Sequence, residues 1–235
     1  DQFISKIPLS VTMEQKDIVE LESKKKSFGL SDEQTLDLAA AYVHYKQDEK
    51  AEVLIDEFIA KNPGNARANA VKAFIYFQRD EKETSKQYFE KVAAIDEFHY
   101  AANYFLGMMS QEAEELAKAA QYYKNALKTY PRVAAPQNNL YYKMVDIYDK
   151  LEQKDKALDT LRLHALHNNK SFDGFVKYAE RLVKHGEEIK AIEAFMNANY
   201  IFPFDSKVHN SCGSLMLKNS QLDGALREFR VAVEI

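Results

Sequence analysis

Residues 100–131 read YAANYFLGMMSQEAEELAKAAQYYKNALKTYP. Two short amphipathic segments flank Glu114-Glu115. Gly107 lies in the middle of the first; Ala119 and Ala126 share a face of the second with Tyr123 between them, and Pro131 closes the unit. Apolar residues at this spacing line one side of an α-helix. Small residues at three facing places let two helices approach closely, and the aromatic fills the space beside them. One such hairpin cannot bury its own apolar face, so it requires neighbours of the same kind.

The rest of the chain supplies them. The position of Gly107 recurs at Ala39, Ala73, Gly107, Val145, Ala179 and Gly213, in steps of 34, 34, 38, 34 and 34 residues. The position of Ala119 recurs with the same steps as Ala51, Ser85, Ala119, Ala157, Ala191 and Ala225. A large apolar residue follows four places later each time, at Ile55, Phe89, Tyr123, Leu161, Phe195 and Phe229, and Pro63, Pro131 and Pro203 fall at equivalent points. Three columns thus share one period and one insertion.

In these residues the chain resembles the tetratricopeptide repeat (TPR) family, whose period is about 34 residues with a helix–turn–helix unit. The family's pattern is carried by Ala39, Tyr42, Ala51, Ile55, Phe58 and Pro63, again by Gly107, Ser110, Ala119, Tyr123, Ala126 and Pro131, and by Ala179, Leu182, Ala191, Phe195, Ala198 and Pro203. The departures are Ser85 and Glu97 in the second repeat, and Val145, His164 and Asn169 in the fourth, where close packing is in question. The resemblance implies an all-α fold: a right-handed superhelical solenoid of about six TPR repeats, near 32–65, 66–99, 100–133, 138–171, 172–205 and 206–235. A segment of residues 1–31 precedes them. First helices are expected at about 32–45, 66–79, 100–112, 137–150, 172–184 and 206–218, and second helices at about 48–61, 82–95, 116–129, 154–167, 188–201 and 222–235. Met13 to Lys26 reads as a capping helix or decayed repeat, with Ile18, Val19 and Leu21 on its apolar side, a basic last turn and a stop near Gly29. Residues 1–10 are expected to be extended or loosely held. The insertion, RVAAPQ after Pro131, is expected to lengthen a loop or add a helical turn.

Composition agrees with a helix-rich chain: 235 residues, 46% hydrophobic and 29% charged, with 7 Gly and 5 Pro. The net charge of −4 argues against nucleic acid as a partner, since phosphate binding requires a basic surface. A single cysteine, Cys212, excludes an internal disulfide and is expected to be a buried, inert thiol. No run approaches the roughly 20 apolar residues of a membrane span. The chain begins at Asp1 rather than Met and ends before the last repeat reaches a closing proline, which reads as a trimmed chain.

Motifs for catalysis are absent: there is no phosphate loop, dinucleotide fingerprint or nucleophile elbow. His164 and His167 stand three apart on one helix, but His164 occupies a packing column and is expected to be structural. No enzyme activity, cofactor or metal is expected. The resemblance further implies that the second, fifth, ninth, twelfth and thirteenth residues of each repeat face a concave groove. Its middle would then be apolar and aromatic, at Phe74, Phe77, Tyr104, Met108 and Tyr142, with Asp146 alongside. In the fourth repeat the positions are Asn139, Tyr142, Asp146, Asp149 and Lys150, in the fifth Asp173, Val176, Glu180, Val183 and Lys184, and in the sixth Lys207, Asn210, Ser214, Leu217 and Lys218. Packing within the repeat does not by itself call for apolar groups there, so they read as anchors for a partner peptide or helix. The Lys/Asn clamp with which some family members hold chaperone C-terminal tails is missing: its positions carry Leu36, Ala40, Val71, Ala101 and Phe105. The expected role is therefore a non-enzymatic scaffold or adaptor. The alternatives are the repeat region of a larger enzyme, such as a peptidase or transferase, and self-association through an uncapped last helix.

Overall fold

The computed structural model describes residues 14–132 and 139–235. Among them are thirteen helices and no strand: α1 (Gln15–Phe28), α2 (Asp32–His44), α3 (Asp48–Lys61), α4 (Ala66–Gln78), α5 (Lys82–Ile95), α6 (Tyr100–Glu112), α7 (Leu116–Thr129), α8 (Leu140–Lys150), α9 (Lys154–His167), α10 (Phe172–Lys184), α11 (Glu188–Ile201), α12 (Ser206–Lys218) and α13 (Leu222–Glu234). From α2 onward the boundaries match those read from the repeat to within a residue or two, except that α8 starts at Leu140. The expectations for residues 1–10 and for the body of the insertion lie outside the described residues. In α1, Ile18 is buried as expected, whereas Val19 is 65% exposed.

The two kinds of helix start differently. Every first helix from α2 on has a side-chain cap, from Ser31, Asn65, His99, Asn139, Ser171 and Asp205 in turn. These groups satisfy backbone N–H groups that have no partner inside the helix. The second helices have no side-chain cap. They are entered through a tight turn whose central residue is left-handed each time: Lys46, Asp80, Glu114, Glu152, Gly186 and Ser220, with φ between 57° and 76°. The next residue's N–H reaches back five places, as from Gln47 to Tyr42 O (2.8 Å) and from Glu187 to Leu182 O (2.9 Å). This is the Schellman ending, which closes one helix and aims the chain back antiparallel.

The chain divides into two compact units, 1–130 and 131–235. In the first, the core is aromatic. Phe74, Phe89 and Phe105 are fully enclosed, with ring centroids 5.0–5.3 Å apart. Gly107 is required where it stands, since a Cβ there would lie 2.6 Å from Cδ1 and Cε1 of Tyr123. Ser85, a departure from the repeat pattern, is buried and donates from Oγ to Ala73 O at 2.9 Å, so its hydroxyl is satisfied.

In the second unit, Ala179, Leu182, Ala191, Ile192, Phe195, Ala198, Val208, Cys212 and Met216 form the main cluster, and Val145, Ala157 and Leu161 a smaller one. Burial pushes the Cys212 thiol up to about 12, so it is protonated at neutral pH. His209 links three elements, with Nδ1 2.7 Å from Glu228 Oε2 of α13 and Nε2 3.1 Å from the Pro203 carbonyl.

Candidate functional site

The six residues singled out from the sequence fall in both units. In the first unit, Phe74 is 0% and Tyr104 3% exposed, while Phe77 and Met108 are half-buried. The expectation that packing makes no demand on these positions fails for Phe74 and Tyr104. Phe74 meets Phe89 and Phe105 edge-on, and Tyr104 packs against Phe105 at 5.3 Å and Tyr123 at 6.5 Å. They belong to the aromatic core that holds α4, α5, α6 and α7 together.

The second unit differs in kind. At the ninth position of its repeats stand Asp146, Glu180 and Ser214, all exposed, where the first unit has Ala40, Phe74 and Met108. Side chains of α8, α10 and α12 line a groove here, with two depressions that share Glu180 and Lys184. One, of about 380 Å³, is walled by Tyr142, Asp146, Asp149, Lys177 and Arg181. The other, of about 530 Å³, is walled by Val183, Leu215, Ser211 and Ser214, with the ring of Phe195 from α11 at its edge.

Ion pairs fix the first depression. Arg181 donates to Asp149 through both terminal nitrogens, Nη1 to Oδ1 at 2.7 Å and Nη2 to Oδ2 at 2.6 Å, tying α10 to α8. Such paired bonds set geometry as well as energy. Arg181's hydrogen bonds hold the Asp149 carboxyl below its ordinary range, and the same bonds raise Arg181. The Tyr142 hydroxyl donates to Asp173 Oδ2 at 2.7 Å, and Lys177 lies 5.3 Å from the centre of its ring. Burial, then that hydrogen bond, raises the Tyr142 hydroxyl well above its usual value. Asp146, Glu180 and Lys184 make no ion pair within 4 Å among the described residues and line the groove, where Asp146 acts at longer range on Arg181 and Lys184 on Asp149.

Sequence reasoning placed Tyr142, Asp146, Asp149, Glu180, Val183, Lys184 and Ser214 on this face. It also placed Asn139 there, which instead is buried, caps α8 and meets His164. It missed Arg181 and Phe195. Arg181 had a legible signal: its column reads Ala41, Ile75, Met109, Ile147, Arg181, Leu215, and one arginine among apolar residues marks a site with its own electrostatics. Among the described residues no group of three or more His, Cys, Asp or Glu side chains is placed to hold a metal, and no helix is long and apolar enough to cross a membrane.

Antiparallel helix pairs recurring at a fixed period define an α-helical repeat protein of the solenoid class. Residues 66–99 match the family model of the tetratricopeptide repeat. No curated protein matches the chain. Among solved structures it is similar to YrrB, described as a TPR protein with an unusual peptide-binding site, at 19% identity over 77% of this chain and 91% of that one, with a TM-score of 0.50. It is also similar to a chain of the Naa15/Naa10 structure bound to HypK-THB, at 13% identity and a TM-score of 0.60, over 84% of this chain and 31% of that one. At these identities the likeness is one of fold.

Proposed function

We propose that the chain is a non-enzymatic interaction scaffold that holds a polypeptide partner in the concave groove of its repeats, with the segment of residues 1–31 flanking a repeat region of 32–235. The observation that carries this reading is the groove of the second unit, where charged and apolar side chains stand side by side without being consumed by the core. Asp146 and Glu180 suit a basic side chain of the partner. Val183 and Leu215, backed by the buried ring of Phe195, suit an apolar one a few residues on, with Tyr142 as an aromatic wall. In the first unit the half-buried Phe77 and Met108 are the groove contacts of this reading, and Phe74 and Tyr104 support them from the core. The kind of ligand agrees with the peptide-binding site ascribed to YrrB.

Selection of a random-peptide library on the immobilised protein tests the reading, with the Asp146→Arg/Glu180→Arg form as a parallel target. Peptides joining a basic residue to an apolar one are expected from the wild type and lost from the variant. Recovery of the same peptides by both forms, or of none by the wild type, would overturn the groove assignment.

A second contact rests on α13. Leu222, Leu226 and Val233 recur along one side of it and are 64%, 51% and 86% exposed. Self-association through this helix is the reading they favour. Light scattering is expected to show a concentration-dependent rise in mass that Leu226→Glu abolishes; a constant monomer mass would remove it.

A further inference from the structure

The end of α11 and the α11–α12 loop expose aromatic side chains. Tyr200 is 90%, Phe202 45% and Phe204 68% exposed. Phe202 meets Phe172 edge-on at 5.4 Å and Phe204 at 5.8 Å, so the rings form one surface strip. The repeat provides an internal control for whether folding demands them. The position of Phe202 is Asn62, Asp96, Tyr130 and Asn168 in the preceding repeats, and that of Phe204 is Gly64, Phe98, Arg132 and Lys170. Three of the four are polar at the first place, and glycine, arginine and lysine serve at the second, so packing does not require two phenylalanines here.

Next to the strip, the residue before Phe172 belongs to a concavity of about 630 Å³ whose wall includes Arg132, His167 and Lys170 and, among the described residues, no carboxylate. The acidic groups closest in sequence are already engaged. Asp205 accepts from the N–H groups of Lys207 and Val208 at 3.0 Å, and Asp173 accepts from Tyr142 and lies 3.4 Å from Lys177. The patch is thus apolar and cationic, in a chain whose net charge is −4.

We infer that this edge docks on an anionic lipid surface, with Phe202 and Phe204 entering the boundary between headgroups and acyl chains while Arg132 and Lys170 meet the headgroup phosphates. Apolar groups at that depth and cations beside them act together in peripheral binding. Charge selects the occupant: the wall beside the rings carries Arg132 and Lys170, and the acidic groups nearest in sequence are engaged. The inference is independent of the groove.

The chain has no tryptophan, so Phe204→Trp introduces a single reporter at a position exposed enough to leave the fold intact. Titration with phosphatidylcholine–phosphatidylglycerol vesicles is expected to shift its emission to the blue, and pure phosphatidylcholine is not. Adding Arg132→Glu/Lys170→Glu is expected to weaken binding roughly tenfold or more, as is raising the salt. Phe202→Ser/Phe204→Ser, checked for an unchanged helical signal, is expected to lose co-sedimentation with the same vesicles, whereas Asp146→Arg/Glu180→Arg keeps it. Absence of a blue shift with anionic vesicles, equal binding to neutral ones, or indifference to the Arg132/Lys170 reversal would overturn the inference.

Discussion

Gly174 lies directly against the ring of His164: a Cβ on Gly174 would stand 2.6 Å from Nδ1 and 2.7 Å from Cε1. His164 takes a column that holds Phe58, Val92, Ala126, Ala198 and Ala232 in the other repeats, so the fourth repeat carries a ring where three of the other five have alanine. The space is returned on α10, where the column of Gln34, Ala68, Ala102, Leu140 and Val208 becomes glycine. Gly174→Ala is therefore expected to destabilise the protein. Overpacking costs about 1–3 kcal/mol, against which the better helix propensity of alanine returns at most about 1 kcal/mol. In a His164→Ala background the same change is expected to stabilise, because the ring is gone and propensity alone remains. Denaturant unfolding of the four proteins in the cycle checks this, and a Gly174→Ala effect of the same sign in both backgrounds would refute the pairing.

The same histidine makes stability depend on pH. Asn139 Nδ2 donates to Nε2 at 2.9 Å, while Asn139 Oδ1 accepts from Tyr141 N–H at 3.0 Å, which fixes the amide's orientation. The ring is thus neutral, with its proton on the buried Nδ1. Burial lowers its pKa from 6.5 to about 4. The unfolded chain takes up this proton near pH 6.5 and the folded chain only near 4. The contribution of neutral His164 is therefore complete above pH 6.5, falls as the pH drops, and levels off below about 4, a total of about 3 kcal/mol. His164→Gln is expected to flatten the stability–pH profile over that window relative to the wild type. Equal slopes for the two proteins would place the proton elsewhere.

The left-handed turns carry a third prediction. Five of the six use a residue with a Cβ, among them Glu152 at φ 57°, and one uses Gly186 at φ 76°. A left-handed conformation costs a non-glycine residue about 1–2 kcal/mol, part of which glycine gives back in unfolded-state entropy. Glu152→Gly is expected to raise stability by about 0.5 kcal/mol, and Gly186→Ala to lower it by about 1 kcal/mol. Thermal unfolding distinguishes these, and a loss on Glu152→Gly would show that the Glu152 side chain contributes more than its backbone costs.

These turns show what the sequence made legible. Period, helix boundaries and the close approach at Gly107 could be read because they are packing constraints repeated at every unit, and a column of six residues averages out any one departure. The site was less legible, because it consists of departures. The family's inner-face positions predicted a central aromatic groove, but they record direction from the helix axis and not depth. In the first unit small neighbours such as Ala70 and Ala101 bring the helices close, and Phe74 and Tyr104 are enclosed. In the second unit charged residues at the same positions keep the face open. The contribution of Phe195 was hidden for another reason: it comes from a second helix, and the resemblance assigned the groove to first helices alone.

That difference in depth separates two substitutions at one repeat position, Phe74 and Glu180. Phe74 is fully enclosed by Phe89 and Phe105. Phe74→Ala removes a buried ring, which costs about 3–5 kcal/mol, so its loss of helical signal in denaturant should come at a clearly lower concentration than the wild type's. Glu180 is exposed and makes no ion pair within 4 Å among the described residues. Glu180→Arg should leave the unfolding curve nearly unchanged, within about 0.5 kcal/mol, and abolish capture of a groove-selected basic–apolar peptide. The pair is read by denaturant unfolding and by calorimetric titration with that peptide. Should Phe74→Ala unfold like the wild type, the aromatic cluster would be a surface after all and the groove of the first unit would return as the binding face; should Glu180→Arg unfold early, the acidic row of the second unit would be structural rather than a contact.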